Sequence, residues 1–400
     1  MHFLLSIWWR YALRIVIAVG RLLALVSTII FVDVMLFTAL TPLVPGYAEE
    51  FDLSKSGVGV LVGAFGAGAI IGGILGGLGA ARLGPKRAVV AGLILLGLAS
   101  LAFAGAESAT TLVLARSIQG LSSTITWAGA LAWLAVSAPR ERRGEVIGIA
   151  FGAAVFGAVL GPLFGGVAEV VGTRPSFAAV AAVAFLCAGA ATLPRSAPAE
   201  EISTAGLSRA LRDPRFLGGL WLNALPGFLF GMLVVLGPLA LDAEDWSAVA
   251  IAVVFFAAGL GEAGLSPLIG RATDRRGRLL PIRIALAASI VFTAGLAAAR
   301  EPLAIALLIG AASLAFGGFY TPGMALTSHR AEAVGLAQGL AFGIMNSAWA
   351  VGELTGPTVG GALAEAFGDP VPYLVGGILC AATLIATQGL VARRARPSAA

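Results

Sequence analysis

Hydrophobic runs of about 20 residues recur along this chain, separated by short basic or polar breaks. A helix of about 20 residues is needed to cross the hydrocarbon core of a bilayer. Charged residues make up only 12% of the chain, whereas a soluble domain is typically about 25% charged. The sequence therefore predicts an all-α integral membrane protein. Twelve spanning helices are expected near residues 22–45, 57–80, 88–106, 110–135, 146–169, 176–194, 216–240, 248–270, 280–299, 303–325, 335–365 and 373–392.

A pattern of glycine and proline in the fifth predicted helix returns in the eleventh, 195 positions later. The first copy contains Gly148, Gly157, Gly161, Pro162, Gly165 and Gly166, and the second contains Gly343, Gly352, Gly356, Pro357, Gly360 and Gly361. Small residues at such spacing let membrane helices pack closely. The repeat predicts two related six-helix bundles, over 22–194 and 216–392, joined by a polar linker at 195–215. Paired halves of this kind are typical of secondary transporters.

Basic residues predict the orientation of the chain in the membrane. With a cytoplasmic N-terminus, all but four of the 26 Lys and Arg residues lie in cytoplasmic segments, the exceptions being Lys55, Arg116, Arg174 and Arg300. This bias predicts a multi-pass protein of the plasma or inner membrane with both termini, including the tail 393–400, in the cytoplasm. Three arginines on one face of residues 1–21 predict an interfacial helix rather than a signal peptide. No folded soluble part exists to carry a nucleic-acid surface.

Away from the ends of the predicted spans lie four ionisable residues, where charge is costly and usually functional: Asp33, Arg116, Glu262 and Glu353. Arg116 shares a helical face with Ser123 and Trp127, and Asp33 is its expected partner. The alternatives are a structural polar contact for Asp33 and snorkelling of Arg116 to the outer surface. The remaining residues expected around a central cavity are Gln119, Asn223, Phe319, Tyr320 and Trp349. The aromatic rings suit a lipophilic or cationic molecule, and packing alone is the alternative reading of them.

No cofactor is expected. His2 and His329 are too few for a metal cluster, and Cys187 and Cys380 lie in predicted membrane helices. The GxGxxG match at 259–264 has no strand before it, and in the loop after the second helix Pro85 breaks the phosphate-loop pattern, so no nucleotide site is predicted. A membrane enzyme or sensor is the alternative from another class, but the chain contains no HExxH and no nucleophile elbow. We therefore expect a protein that is not an enzyme.

Several motifs resemble those of the major facilitator superfamily. Residues 270–278, GRATDRRGR, resemble the superfamily's G-x-L-a-D-r-x-G-r-k loop, and residues 77–86 are a degraded copy with Ala81 where the aspartate belongs. Arg116 to Gly120, RSIQG, resembles the R-x-x-Q-G motif of helix four. Residues 157–166, GAVLGPLFGG, resemble the helix-five motif of antiporters. Asp33 with the prolines that follow resembles the helix-one pattern of amine transporters. Within the superfamily, the chain resembles the twelve-helix drug:proton antiporter branch, which includes the vesicular amine transporters.

This resemblance implies alternating access by a monomer that exports small lipophilic or cationic molecules in exchange for protons. Asp33, Arg116, Glu262 and Glu353 would couple proton movement to transport. The implied cytoplasmic gate consists of Gly77, Arg82, Gly84, Gly270, Asp274, Arg275, Gly277 and Arg278. Uptake of a small metabolite by symport or uniport is the alternative within transport.

Overall fold

The computed structural model describes residues 2–139, 142–194 and 206–392, and all regular structure within them is helical. Twelve helices are long, and α2 and α8 are short. In chain order they are α1 (His2–Ala39), α2 (Val44–Glu50), α3 (Lys55–Leu83), α4 (Pro85–Ala104), α5 (Ala109–Ser137), α6 (Arg143–Val171), α7 (Thr173–Ala191), α8 (Leu207–Arg212), α9 (Pro214–Asp242), α10 (Ala248–Arg276), α11 (Leu279–Ala298), α12 (Pro302–Ala333), α13 (Gln338–Phe367) and α14 (Pro370–Ala392).

The long helices fit a membrane-spanning bundle. Ten of them contain a stretch that is long and apolar enough to cross a membrane; α5 and α13 are the two that do not meet this criterion. Both are nonetheless about as long as their neighbours, with 29 and 30 residues. They carry Arg116 and Glu353, respectively, which are two of the four embedded ionisable residues.

The first predicted span and the segment before it form one helix. α1 continues without a break from His2 to Ala39, so the predicted boundary near residue 21 is not seen in the backbone. Pro42 lies in a 3-10 turn over Thr41–Leu43 that interrupts the helix before α2, as expected where proline removes a backbone donor. A surface location for the first residues stays a prediction. Residues 195–205 of the predicted linker and the tail 393–400 lie outside the described residues.

The turns repeat between the two halves. Ser54 and Ser247 cap α3 and α10 by accepting a hydrogen bond from the backbone three residues on. Asp52 and Asp245, just before these caps, have positive φ values of 48° and 62°. Glycine supplies the positive φ of the later turns, at the paired positions Gly84 and Gly277 and the paired positions Gly172 and Gly368. The duplication read from the sequence is therefore present in the backbone.

The repeated glycines lie at matching helix contacts. Three glycines of α6 face the backbone of α1, and their three counterparts on α13 face α9, which is the equivalent helix of the second half. The two sets are Gly157, Gly161 and Gly165 on α6, and Gly352, Gly356 and Gly360 on α13. The last glycine of each motif turns to the opposite half, Gly166 towards α10 and Gly361 towards α3. Each motif therefore packs one helix within its half and one across the molecule.

Two seams join the halves. We call the contact of α3 with α13 the first seam, and the contact of α6 with α10 the second seam. We call the side of the molecule that holds the arginine-rich turns at Gly84 and Gly277 the basic end. The helices α3 and α10 end there, and α6 and α13 begin there. The opposite side is the acidic end.

The seams are closed at the acidic end and open at the basic end. Along α3, Gly59, Gly63 and Gly66 press against the backbone of α13, whereas no atom of another element lies within 4 Å of a Cβ placed on Gly77. The basic-end glycines of the other seam helices are equally free of such contacts: Gly148, Gly152, Gly264, Gly270 and Gly343. The two halves therefore part towards the basic end.

Candidate functional site

Asp33 lies inside the first half and is held by two donors. Its Oδ2 accepts hydrogen bonds from Ser123 Oγ at 2.6 Å and from Trp127 Nε1 at 2.8 Å, both on α5. Only 4% of Asp33 is exposed, and the Trp127 ring packs edge-on against Phe151 of α6. The helical face that the sequence predicted for Ser123 and Trp127 thus meets Asp33. Charge-assisted hydrogen bonds of this kind stabilise a carboxylate away from water.

Arg116 is buried, and it does not pair with Asp33. Its guanidinium donates to Gln119 Oε1 at 3.1 Å and to the Phe37 carbonyl at 2.8 Å. Within the described ranges, no carboxylate oxygen lies within 4 Å of it. The expected ion pair was wrong because Ser123, which binds Asp33, lies seven residues or about 10 Å along α5 from Arg116. The snorkelling alternative was also wrong, because only 2% of Arg116 is exposed.

Two aromatic rings enclose the Arg116 guanidinium. Its central carbon lies 4.8 Å from the centre of the Phe65 ring and 5.7 Å from that of Phe37. Such cation–π contacts are worth more when they are desolvated, about 2 kcal/mol. The sequence analysis missed both rings, although Phe65 is the single aromatic residue of the glycine-rich α3 and could have been noticed as such.

The second half carries two carboxylates with little polar support. Glu353 of α13 is 5% exposed, and it receives no hydrogen bond from the residues that the structure describes. Glu262 of α10 lies against Gly317 of α12, where a side chain would overlap its carboxyl group. Arg116 interacts electrostatically with Glu353 and with Asp33, although neither is within ion-pair distance. The embedded charges therefore lie in both halves and on both sides of the first seam.

Aromatic rings form a cluster close to these carboxylates. Tyr320 of α12 packs on Trp349 of α13 with 4.8 Å between ring centres, and Trp349 is 6.1 Å from Phe230 of α9. Phe230 also meets Phe316 edge-on. Tyr320 is partly exposed and interacts electrostatically with Glu262 and Glu353. The arrangement offers aromatic faces beside acidic groups.

Three residues expected at the cavity are fully buried in helix contacts. Phe319 is 0% exposed and belongs to the apolar core. Asn223 donates to the Gly219 carbonyl and to Thr327 Oγ1, between α9 and α12. Gln119 accepts from Arg116 and lies 3.5 Å from Ser100 of α4. In this conformation these three residues support helices, and a role in substrate contact stays a prediction.

The residues expected at the cytoplasmic gate are spread apart at the basic end. Gly84 and Gly277 form the turns, with φ values of 89° and 79°. Arg82, Asp274 and Arg275 are exposed, and in the described part of the chain they take part in no ion pair. A gate built from these turns would therefore be open in this conformation.

A family comparison agrees with this architecture. The family model described as Major Facilitator Superfamily matches residues 26–342, which is well over half of the chain. The chain belongs to the Major Facilitator Superfamily. The protein, which we call the facilitator from here on, is accordingly a multi-pass membrane transporter of small molecules and is not an enzyme.

Relatives of known function belong to the drug:proton antiporter branch. The quinolone resistance protein NorA of Staphylococcus aureus is 24% identical over 355 residues, which cover 86% of this chain and 90% of the relative. The human synaptic vesicular amine transporter is 28% identical over 316 residues, covering 74% of this chain and 59% of the relative. The resemblance stated from the motifs is confirmed at the level of this branch.

Solved structures share the fold. The nucleoside transporter NupG, in the form of a point mutant, superimposes with a TM-score of 0.76 at 14% identity and covers 92% of this chain and 99% of its own. A bacterial homologue of the human lysosomal transporter Spinster, described as inward-facing and unoccupied, gives a TM-score of 0.74 at 18% identity and covers 96% and 99%. The predicted major facilitator fold is confirmed.

Proposed function

We propose that this facilitator exports small lipophilic cations in exchange for protons, with Asp33 as the group that binds the transported proton. The observation that carries the proposal is the environment of Asp33, a carboxylate buried in α1 and bonded to two donors of α5. A buried carboxylate can exist charged or neutral, and gaining a proton removes a costly charge. Such a group can couple proton entry to substrate exit.

The substrate class follows from the second half. Tyr320, which packs on the Trp349 ring, interacts electrostatically with Glu262 and Glu353. Aromatic faces and carboxylates together favour an apolar molecule that carries a positive charge. NorA is named for resistance to quinolones, and the vesicular transporter is named for amines. Both names support export of such molecules by this chain.

The direction of opening supports alternating access. Under the positive-inside rule the basic end lies in the cytoplasm, so the parted basic ends correspond to an inward-facing state. The Spinster homologue with the same fold is described as inward-facing. Proton entry can drive export from this state: the pH gradient drives the exchange even where the charges of proton and cation cancel, and each proton that enters beyond the charge carried out adds about 2.3 kcal/mol per 100 mV of membrane potential. We propose that the monomer completes this cycle alone.

Proton flux in proteoliposomes tests the proposal. Vesicles that contain a pH-sensitive dye are exposed to an aromatic cation such as ethidium, and substrate-dependent proton movement is recorded for the wild type and for Asp33→Asn. We expect the flux to fall at least tenfold in the variant while the protein still folds, because asparagine cannot exchange a proton. Asp52→Asn is the matched control, because Asp52 is exposed and asparagine tolerates its positive φ.

Two results would contradict the proposal. Unchanged proton flux in Asp33→Asn would remove the assignment of Asp33. Movement of a radiolabelled substrate without proton movement in the wild type would instead establish a uniporter, and protons moving in the same direction as substrate would establish a symporter.

A further inference from the structure

We propose that a cavity between α10, α11 and α12 binds an anionic phospholipid, with one acyl chain inside the cavity and the phosphate at Arg276. The site lies on the outer surface of the second half. Its ligand comes from the surrounding bilayer and is not transported, so the site does not depend on the proton-coupled cycle proposed above.

The cavity is apolar except at one end. Its volume is about 440 Å³, within the range of small-molecule sites in proteins. Every residue that lines it is apolar except Arg276, which lies at the end of α10. The part remote from Arg276 is lined by Leu265 of α10, Phe292 of α11 and Leu314 of α12. Such walls suit a hydrocarbon chain that carries its charge at one end.

The cavity arises from a difference between the two halves. α3 and α10 have the same length and matching caps, so the repeat pairs Gly72 with Leu265 and Gly76 with Ile269. The two glycines bring α3 against the backbone of α5, where a Cβ on Gly76 would stand 2.7 Å from Ile125 Cα. Leu265 and Ile269 have large side chains at these places. They keep α10 from approaching α12 as closely, and both line the cavity instead.

The cavity opens on the side of the molecule that faces lipid. α11 packs mainly on α12 and α14 and only loosely on α10, which leaves a gap between α10 and α11. Leu268 of α10 and Ile284 of α11 line the cavity and are exposed. Leu268 comes nine residues after Gly259, so at about 100° per residue it points away from the second seam, where Gly259 meets α6. An acyl chain can therefore enter from the bilayer.

The length of the cavity matches one leaflet of the bilayer. Arg276 and Leu265 are eleven residues apart on α10, which corresponds to about 16 Å along a helix. One leaflet supplies half of a hydrocarbon core of about 30 Å. Arg276 lies in the last turn of α10, at the basic end, where the headgroups of that leaflet are expected. A lipid of this leaflet can therefore place its phosphate at Arg276 while its chain follows the cavity.

The charge beside the cavity favours an anionic ligand. Residues 270–278 contain four arginines and a single carboxylate, Asp274. In the described part of the chain none of these arginines takes part in an ion pair. A guanidinium group matches a phosphate with two parallel hydrogen bonds, whereas a lipophilic cation would be repelled. A hydrocarbon chain gains little by leaving other lipid tails for the cavity, so the contact of arginine with phosphate determines which lipid is bound.

Photo-crosslinking in proteoliposomes tests this site. The full chain is placed in phosphatidylcholine vesicles that contain a small amount of phosphatidylglycerol with a diazirine at the end of one acyl chain. After irradiation the labelled residues are identified by peptide mass spectrometry. A phosphatidylcholine probe with the same diazirine chain measures the effect of the headgroup. Labelling of α4, where Ile94 and Leu98 are exposed, is the reference for ordinary contact with lipid.

We expect the phosphatidylglycerol probe to label the walls of the cavity about fivefold more than the phosphatidylcholine probe, relative to α4. This ratio corresponds to about 1 kcal/mol for one arginine near an anionic lipid. Arg276→Gln should reduce the preference to less than twofold, and Arg276→Lys should keep most of it. Arg271→Gln is the matched control, because Arg271 is exposed on the same helix but does not line the cavity, and it should leave the preference unchanged. Ala288→Phe should fill the cavity and lower its labelling by both probes at least threefold.

Three results would overturn the site. Equal labelling of the cavity by the two probes would show ordinary contact with lipid and no recognition of the headgroup. A preference that survives Arg276→Gln would remove the role of that arginine, and the Arg276→Lys protein separates loss of charge from loss of fold. Displacement of the phosphatidylglycerol probe by excess ethidium would instead make the cavity an entry path for a cationic substrate.

Discussion

The two seams between the halves occupy equivalent positions in the repeat but are built differently. In the first seam, Gly63 and Gly66 bring α3 against the backbone of α13, with 2.6 to 2.9 Å left for a Cβ. In the second seam, a Cβ on Gly259 of α10 would stand 3.5 Å from Val159 Cα of α6, an ordinary contact distance, although a Cβ on Gly166 of α6 would stand 2.8 Å from Ala252 Cβ. A methyl group therefore fits at Gly259 of the second seam but not at Gly63 or Gly66 of the first.

The polar contacts at the acidic end differ in the same way. In the first seam Lys55 pairs with Asp369, and the Ser56 N–H donates to Glu365 at 2.9 Å. Glu169 and Glu365 each lie three residues before a paired turn glycine, Gly172 or Gly368. The Glu169 side chain, however, lies within its own half, 3.7 Å from a Cβ on Gly46. We call the Lys55–Asp369 and Ser56–Glu365 contacts the latch; among the residues that the structure describes, such polar contacts join the halves at the first seam only.

The largest expected effect comes from enlarging one glycine in each seam. Gly66→Ala should reduce transport at least tenfold, because its methyl group would overlap α13 and overpacking costs about 1–3 kcal/mol. Gly259→Ala should change transport by less than twofold. Substrate flux in proteoliposomes measures both. Equal effects of the two substitutions would contradict the difference between the seams.

A contact inside the second half serves as a control for this comparison of the seams. Asp213 caps α9 and binds Arg330 of α12, with 2.7 Å between Oδ2 and Nε. Asp213→Asn should lower the free energy of unfolding by about 1 kcal/mol, because it removes the ion pair with Arg330 while asparagine still caps the helix. The distance between spin labels at Glu107→Cys and Glu301→Cys, one on each half at the acidic end, should not change, since Asp213 and Arg330 both contact the second half.

The contribution of Asp213 to the free energy of unfolding depends on pH in a definite direction. The Arg330 side chain and the cap hydrogen bonds hold the pKa of Asp213 below its ordinary value. The stabilisation is therefore complete above the ordinary pKa of an aspartate, about 4, and is lost as the pH falls through the lowered value. Thermal unfolding in detergent at pH 7 and at pH 3 should show the wild type and Asp213→Asn converging at the lower pH. A constant difference would contradict this account.

The smallest effect is expected at the latch itself. Lys55→Gln removes an exposed ion pair, and such pairs contribute about 0.2–1 kcal/mol. The population open at the acidic end should rise by about two- to fivefold at low salt, and the wild type should approach the variant as salt increases. Arg142→Gln breaks a pair of similar exposure at the start of α6 and serves as the control. A shift of the same size in that control would show that the latch has no special role.

Much of the fold could be predicted because it depends on patterns along single helices. The recurrence of Gly157, Gly161 and Gly165 as Gly352, Gly356 and Gly360 predicted a duplication, and each set indeed meets the equivalent helix of its half. Helix length and apolar composition identify ten of the long helices as spans in the same way, and α5 and α13 fall short of that criterion.

The candidate site was less predictable because it depends on how helices align with each other. A helical wheel placed Arg116 and Ser123 on one face, but it did not show that Asp33 meets the far end of that face. Phe319 and Tyr320 are adjacent in sequence, and only packing decides that the first is buried in the core and the second is partly exposed. The latch uses exposed charges that no local pattern distinguishes from others.

The polarity of α5 and α13 has a consequence for the biogenesis of the protein. These are the two long helices that are not apolar enough to qualify as spans, so each should enter the bilayer poorly on its own during synthesis. The helices against which they pack are made earlier: α3 and α4 precede α5, and α3 and α9 precede α13. The order of translation thus provides each polar helix with a partner already in the membrane when it leaves the ribosome.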